Sequence, residues 1–409
     1  MESRYDVIVI GAGLAGLCAA LQAAQLGAQV RVLESHEIGG RAQSDQRRDF
    51  IFNRGPHALF NDGEAAKTLR ALGLPLSGSA KSLRGAKALF REQLHVLPIS
   101  PTTILRTDLL NATDRISFAR VMAGLPKVTP VELSEISARE WCEVRASSST
   151  VASLLQAFIR LNTYCNNLDG LSAEAGVTQL RRSLRGVTYL DGGWQTIVEA
   201  LATRAQATGV EISTHDAATT VECADDAVRV ASSDATVEAR SVVLACGGPG
   251  MVRRLVPELV IEDQGPLVNA ACLDLGLTSP PIEHFVLGID EDVYLSLHSP
   301  PARLAPEGAA TLSVMAYGGE GKKSIDNLDR LARLAGVSHD DIAERRTLAN
   351  MTVAHSVPRP GASFRGRPSV TAAGVTRCFL AGDWVGERGL LADAAVASGT
   401  LAGKLAAQT

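Results

Sequence analysis

Three glycines and one acid near the start of the chain are spaced to hold a phosphorylated ligand. Gly11, Gly13 and Gly16 follow an apolar run from Asp6 to Ile10, and Glu34 closes a second apolar run from Gln29 to Leu33. The two runs read as strands, and the Ala/Leu-rich stretch between them as a helix. Gly11 allows the tight turn off the first strand. Gly13, lacking a Cβ, lets a pyrophosphate lie against the backbone, and Gly16 lets the helix pack closely on the sheet. The amides at the helix N-terminus, at Leu14 and Ala15, have no partner within the helix and face the phosphates. Glu34, with Ser35 beside it, stands about 20 residues on, where a carboxylate accepts bonds from ribose hydroxyls. A 2′-phosphate would be repelled there, so NADP is disfavoured. This is the sequence form of a strand–turn–helix–strand unit that grips the ADP half of a dinucleotide.

The rest of the chain must supply what that unit lacks. A loop, Ile38-Gly-Gly-Arg41, is followed by an extended stretch to Asn53-Arg-Gly-Pro-His57, and a helical pattern runs from Gly63 to Leu72. From about Ser77 to Arg185 the text becomes mostly helical and irregular, as an inserted lobe would be. The alternating pattern returns at Tyr189-Leu-Asp-Gly-Gly-Trp194. A helix is expected over Gln195–Ala207, stopped by Gly209, then short strands at 211–213, 219–223, 227–231 and 241–246. A second insertion, Leu255 to Pro360, reads as strands at 270–275, 293–297 and 310–316, then a charged helical region over 325–348. A last buried strand begins at Cys378, and an Ala-rich helix runs from about Ala392 to Ala407. The implied division is 1–76, 186–255 and 366–409 for the cofactor domain, with 77–185 and 256–365 for the substrate domain.

Bulk properties narrow the class. The 409 residues suffice for two interleaved lobes, and 46% apolar with 21% charged residues is ordinary for a globular protein. A net charge of −4, no long basic run and 4% aromatics argue against nucleic acid as a partner. Seven scattered cysteines without a C-x-x-C pair read as buried thiols in a reducing cytoplasm. Val7–Val30 is uncharged, but its glycines and glutamines, and the acidic residues before it, make it a strand plus packed helix, not a membrane span or signal peptide.

Four motifs in order, GAGLAG at 11–16 with Glu34, GGR at 39–41, DGGW at 191–194 and FLAGDWVGERGLLADAAVASG at 379–399, resemble the FAD-containing amine oxidase and phytoene desaturase superfamily. The phrases NRGPHAL (53–59) and AGDWVG (381–386) look more like the bacterial phytoene-desaturase-type oxidoreductases than the monoamine oxidases. The resemblance implies an α/β fold: a Rossmann-type FAD-binding domain of the two-dinucleotide-binding flavoprotein kind, interleaved with a mixed α+β substrate domain. It implies that Gly40 and Arg41 lie along the pyrophosphate, with the guanidinium offsetting charge. Val221 would offer its backbone to the adenine. Gly382 and Asp383 would approach the ribityl and phosphate region, Asp383 taking hydroxyl bonds. The helix after Leu391, with Ala394, would aim its N-terminus at the pyrimidine end of the flavin. Gly55, Pro56 and His57 would run beside the isoalloxazine. His57 and Trp384 are the candidate catalytic residues, each with a bland rival: a hydrogen-bonded core histidine and a packing tryptophan.

Departures from the resemblance carry weight. The stretch 388–392 has no cysteine, so FAD is expected to be non-covalent. Lys322 and Lys323 occupy the right third of the chain for an amine oxidase lysine, but their Gly/Glu-rich setting reads as an exposed loop. The aromatic cage of amine oxidases is not identifiable. No metal site is apparent. Hydride loss from a substrate C–H over the flavin, giving C=C or C=N, needs positioning and dryness more than an acid–base pair. The substrate is expected to be a small molecule, apolar or amine-bearing, with oxygen or another acceptor reoxidising the flavin. An amine oxidase acting on a secondary amine or amino-acid-derived metabolite is the first alternative. A non-catalytic carrier on the same fold, as in the Rab GDP-dissociation inhibitors, is the second. An NAD-linked dehydrogenase fits poorly with the C-terminal Gly-Asp motif. A homodimer and peripheral membrane contact are left open.

Overall fold

The computed structural model describes residues 4–80, 82–318 and 321–409. The first strand, Arg4–Ile10, is the centre of a seven-stranded sheet. It pairs in parallel with Val30–Leu33 on one side and Thr236–Leu244 on the other, and Glu211–Ser213 extends the first edge. Beyond Thr236–Leu244 the chain forms an antiparallel meander with Val228–Ser232 and Ala218–Cys223. The carboxyl half of Thr236–Leu244 takes Cys378–Leu380 as a further parallel partner. Strands buried on both faces carry near-continuous apolar runs, as Val7–Ile10 and Val242–Leu244 do.

The helices Leu14–Gln25, Gln195–Ala207 and Ala392–Gln408 share one core with this sheet. The first and last touch at backbone distance: a Cβ on Gly399 or Gly403 would overlap the carbonyl oxygen of Ala15 or Ala19. Both termini are thereby tied to the same sheet, which brings the Gly382–Asp383 turn to the glycine turn.

A second seven-stranded sheet runs Ile342–Ala354, Val268–Leu277, Ala310–Tyr317, Val293–Ser299, Phe285–Gly288, Lys87–Phe90, Gln93–Val96. Every pairing is antiparallel except Phe285–Gly288 with Lys87–Phe90. Its strands alternate faces with period two. Leu273, Leu295 and Val314 pack under the helix Gly321–Leu334, while Phe285, Tyr294 and Met315 face the helical lobe.

Several expectations change here. The stretch 77–185 is not only helical: Gly78–Ala80 pairs with Val187–Leu190, and the hairpin 87–96 joins the second sheet, so both insertions build one unit. The charged region 325–348 is half helix and half strand. The helix ends at Leu334, and Ile342–Ala354 is an edge strand whose pairing with Val268–Leu277 overrides its helix-forming residues. Lys322 and Lys323 sit in the first turn of a helix, not in a loop; their side chains lie outside the described residues.

A buried arginine of the second sheet links the two units. Arg346 (3% exposed) bonds Asp274 (1% exposed) at 2.6 Å, Asp45 at 2.6 Å and the carbonyls of Phe52 and Asn53, joining the hairpin 44–53 to the second sheet.

Candidate functional site: a continuous cofactor and substrate cavity

One cavity of about 1120 Å³ runs between the two units. That is above the roughly 300–1,000 Å³ of ordinary small-molecule sites, enough for an extended cofactor together with a substrate. Its first end is built by the glycine turn. Gly11 has φ of 101°, and a Cβ there would lie 2.6 Å from the Ala245 carbonyl oxygen. Gly13 differs: the nearest atom to a Cβ built on it is the Gly39 oxygen at 3.9 Å, so its missing side chain leaves space toward the cavity. A Cβ on Gly16 would overlap the Gly11 carbonyl. The three glycines thus divide as tight turn, open face on the cavity and close helix packing. Glu34 accepts from the Ala12 amide at 2.7 Å and the His36 amide at 2.9 Å, which pins its carboxylate at the cavity wall beside Ser35. Gly39 (φ 111°) and Gly40 (φ 54°) fold the next loop against Gly13 through the Gly39 amide and the Ala12 carbonyl, 2.8 Å apart.

Arg41 faces the same end and meets the last motif. Its guanidinium grips Asp383 with two bonds, 2.5 and 3.2 Å, and bonds the Val353 carbonyl at 2.7 Å. Asp383 also accepts from the His355 amide and Nδ1, each at 2.8 Å. Burial alone would push the Asp383 carboxyl up, but Arg41 and His355 hold it well below the usual carboxylate range. Four donors engage its two oxygens. Its observed work is therefore to aim Arg41 and His355 at the cavity, which both line. His355 was not anticipated; only the fold brings the end of the strand Ile342–Ala354 to the Gly-Asp turn. Arg367, also buried, braces that turn through the carbonyls of Asp383 (3.2 Å) and Gly389 (3.0 Å).

The middle of the cavity is lined by Arg54, Pro56 and His57. Gly55 (φ 85°) stands behind them, where a Cβ would lie 2.6 Å from the Met351 methyl. His57 Nδ1 bonds the Gly55 carbonyl at 2.9 Å, and its ring meets the edge of Trp194, centroids 4.9 Å apart. Burial lowers its pKa, against the Gly55 bond, so the neutral imidazole is favoured. His57 is at once a cavity residue and a hydrogen-bonded core histidine. Trp384 is corrected. It is fully buried, its Nε1 donates to the Gly247 carbonyl at 2.7 Å, and it does not line the cavity; it supports the turn from beneath.

The far end is an apolar chamber. Phe158, Leu161, Leu180, Phe285, Tyr294 and Met351 line it, with Tyr164 and Tyr189. These aromatics come from the helix Ser149–Thr163 (Phe158), from its end at Tyr164 and from three separate strands, which the sequence alone did not bring together. Leu391 (φ 55°), Ala392, Asp393 and Ala395 reach the wall, whereas Ala394 is buried behind it. Asp393 caps the helix Glu64–Ala71 through the Ala65 amide (2.9 Å) and pairs with Arg182 (2.8 Å), tying that wall to the helical lobe. Val221 lies within the meander, paired with Val230, and Ala217 and Ala218 occupy the cavity wall instead. Cys246 is the one cysteine on the wall among the described residues, and burial pushes its thiol up to about 12, so it is not a thiolate. Among the described residues no cluster of metal-ligating side chains occurs, and no helix is long and apolar enough to cross a membrane.

A fold with two interleaved units and a glycine cradle opening on an apolar chamber is that of the flavoprotein oxidoreductases. The model of the flavin-containing amine oxidoreductases matches residues 14–405, and the chain belongs to that family. FAD is the cofactor that family membership brings. The residues fit it: the open face of Gly13, the carboxylate of Glu34 and the guanidinium of Arg41 line one continuous groove. A Mycobacterium tuberculosis protein named as a flavin-containing monoamine oxidase, AofH, is 25% identical over 271 residues, 59% of this chain and 56% of its own length. The match thus spans little more than half of that relative. Among solved structures, an oxidoreductase of Methanosarcina mazei superposes with a TM-score of 0.75 at 17% identity, covering 98% of this chain and 99% of its own. Cyclohexylamine oxidase of Brevibacterium oxydans gives 0.73 at 18%, covering 99% and 98%.

Proposed function

We propose that this chain is an FAD-dependent oxidoreductase that oxidises a C–H bond of a small, largely apolar molecule. The observation that carries the reading is the single cavity: a phosphate cradle at one end and an apolar chamber at the other, with no wall between. The chemistry FAD supplies when bound is two-electron oxidation, taking a hydride from carbon and passing the electrons to oxygen or another acceptor.

The chain's own residues do the rest. Gly13 and the amides at Leu14 and Ala15 take the pyrophosphate, Arg41 offsets its charge, and Glu34 takes the ribose. Pro56 and His57 form the middle wall, where a neutral imidazole adds no charge. The aromatic and aliphatic lining excludes water, which hydride transfer requires. A second reading, oxidation of an amine to an imine, is favoured by the likeness to AofH and to cyclohexylamine oxidase.

A visible spectrum of the purified protein comes first, then release of the flavin by acid precipitation, which non-covalent FAD must survive intact. Anaerobic bleaching against a panel of amines, alcohols and polyenes then assigns the substrate. A colourless protein that cannot be reconstituted with FAD would return the carrier alternative to the front.

A further inference from the structure

Two hydroxyls on the wall of the cavity, those of Tyr164 and Ser183, give their hydrogens to main-chain carbonyls. Tyr164 ends the helix Ser149–Thr163 with φ of 59°, a left-handed conformation that costs a non-glycine residue energy and that the surrounding packing must hold. Its hydroxyl donates to the Pro56 carbonyl at 3.1 Å, and the Tyr294 hydroxyl donates to the Tyr164 oxygen at 3.4 Å. Ser183 Oγ donates to the Leu180 carbonyl at 2.7 Å, and Asn162 Nδ2 to the Phe158 carbonyl at 2.8 Å. All of these side chains line the cavity. A hydroxyl has one hydrogen and spare lone pairs. A main-chain carbonyl can only accept, so the hydrogens of Tyr164 and Ser183 are committed. What their oxygens keep for a bound molecule is acceptor capacity: both lone pairs on Ser183 Oγ, and on Tyr164 the one that the Tyr294 hydroxyl does not take.

We propose that Tyr164 and Ser183 make the chamber an acceptor wall, which selects substrates carrying an N–H or O–H group on an apolar body over pure hydrocarbons. The proposal rests on the oxidoreductase reading and narrows its substrate class to neutral amines, alcohols and N–H heterocycles. A hydrocarbon seated there would strip water from these oxygens and return nothing. A site built to bond a substrate donor rejects the analogue that lacks it far more strongly than a pocket that reads shape alone. Burial raises the Tyr164 pKa, which keeps the phenol protonated and its hydrogen on Pro56.

The test uses the flavin-loaded protein with two probes that differ by one hydrogen-bond donor, indole and 1-methylindole. Binding is read as the perturbation of the flavin absorption band. Indole should bind the wild type about three- to tenfold more tightly, the range of one net hydrogen bond. Tyr164→Phe should bring the ratio close to one while leaving the 1-methylindole affinity unchanged, and Ser183→Ala, which leaves the left-handed position alone, should lower it in part. Equal binding of the two probes to the wild type, binding of neither, or a ratio untouched in both variants overturns the proposal. FAD content is measured first on the same preparation, so loss of the oxidoreductase reading and loss of the acceptor wall give different results.

Discussion

Replacing Gly13 by alanine should leave the fold standing and cripple FAD binding, whereas the same change at Gly11 should damage the fold itself. The structure separates the two. A Cβ on Gly13 meets no atom nearer than 3.9 Å, and the backbone there has φ of −76°, which alanine adopts without strain. The apo-protein should therefore lose about 1 kcal/mol or less, the scale of a changed helix cap. The new methyl, however, stands where the pyrophosphate must approach. Overpacking of this kind costs about 1–3 kcal/mol, a roughly 5- to 150-fold weaker FAD affinity. At Gly11 the Cβ would lie 2.6 Å from the Ala245 oxygen, closer than real Cβ atoms come, and φ of 101° adds strain. The left-handed penalty of about 1–2 kcal/mol and the overlap of about 1–3 together remove about 2–5 kcal/mol of stability. Urea unfolding of the apo-proteins and FAD titration by fluorescence quenching give the two quantities separately. Unchanged FAD affinity in Gly13→Ala, or equal destabilisation by both changes, would refute the assignment of distinct jobs to the two glycines.

Three further outcomes follow from the buried titratable groups. Asp383→Asn removes the anion that Arg41 and His355 share and should cost about 2–3 kcal/mol at pH 7; because the folded carboxyl titrates below its unfolded value of about 3.9, the wild-type advantage is fully present above that pH and shrinks as pH falls below it, which thermal melts at pH 3 and 7 will show. Asp274→Ala should cost about 3–5 kcal/mol in urea unfolding, since it takes away the buried anion of Arg346 and leaves it only the part-exposed Asp45, whereas the double change Asp274→Leu with Arg346→Met should cost less than the single one. His57 titrates below its unfolded value of about 6.5, so the unfolded chain binds the extra proton and stability falls as pH drops through that value; His57→Phe should flatten the loss of melting temperature between pH 7.5 and 5.5, and a parallel pH profile in both proteins would count against the burial argument.

What the sequence determined by itself is whatever a short stretch of backbone dictates. The turn at Gly11–Gly16 was legible because positive φ and close helix approach leave glycine as the only answer. The helix Gln195–Ala207 and the strand Glu211–Ser213 were legible because apolar period and a stop at Gly209 are local signals. Tertiary structure decided the rest. Ile342–Ala354 carries charged and helix-forming residues and becomes a strand only because Val268–Leu277 offers its edge. Trp384 stands in the cofactor motif yet points beneath it, and His355 stands in no motif yet shares Asp383 with Arg41. The chamber is assembled from Tyr164, Ser183 and Tyr294, more than a hundred residues apart at the extremes. Such encounters depend on how two sheets and a helical lobe pack against one another, and no spacing along the chain encodes which side chain faces the gap between them.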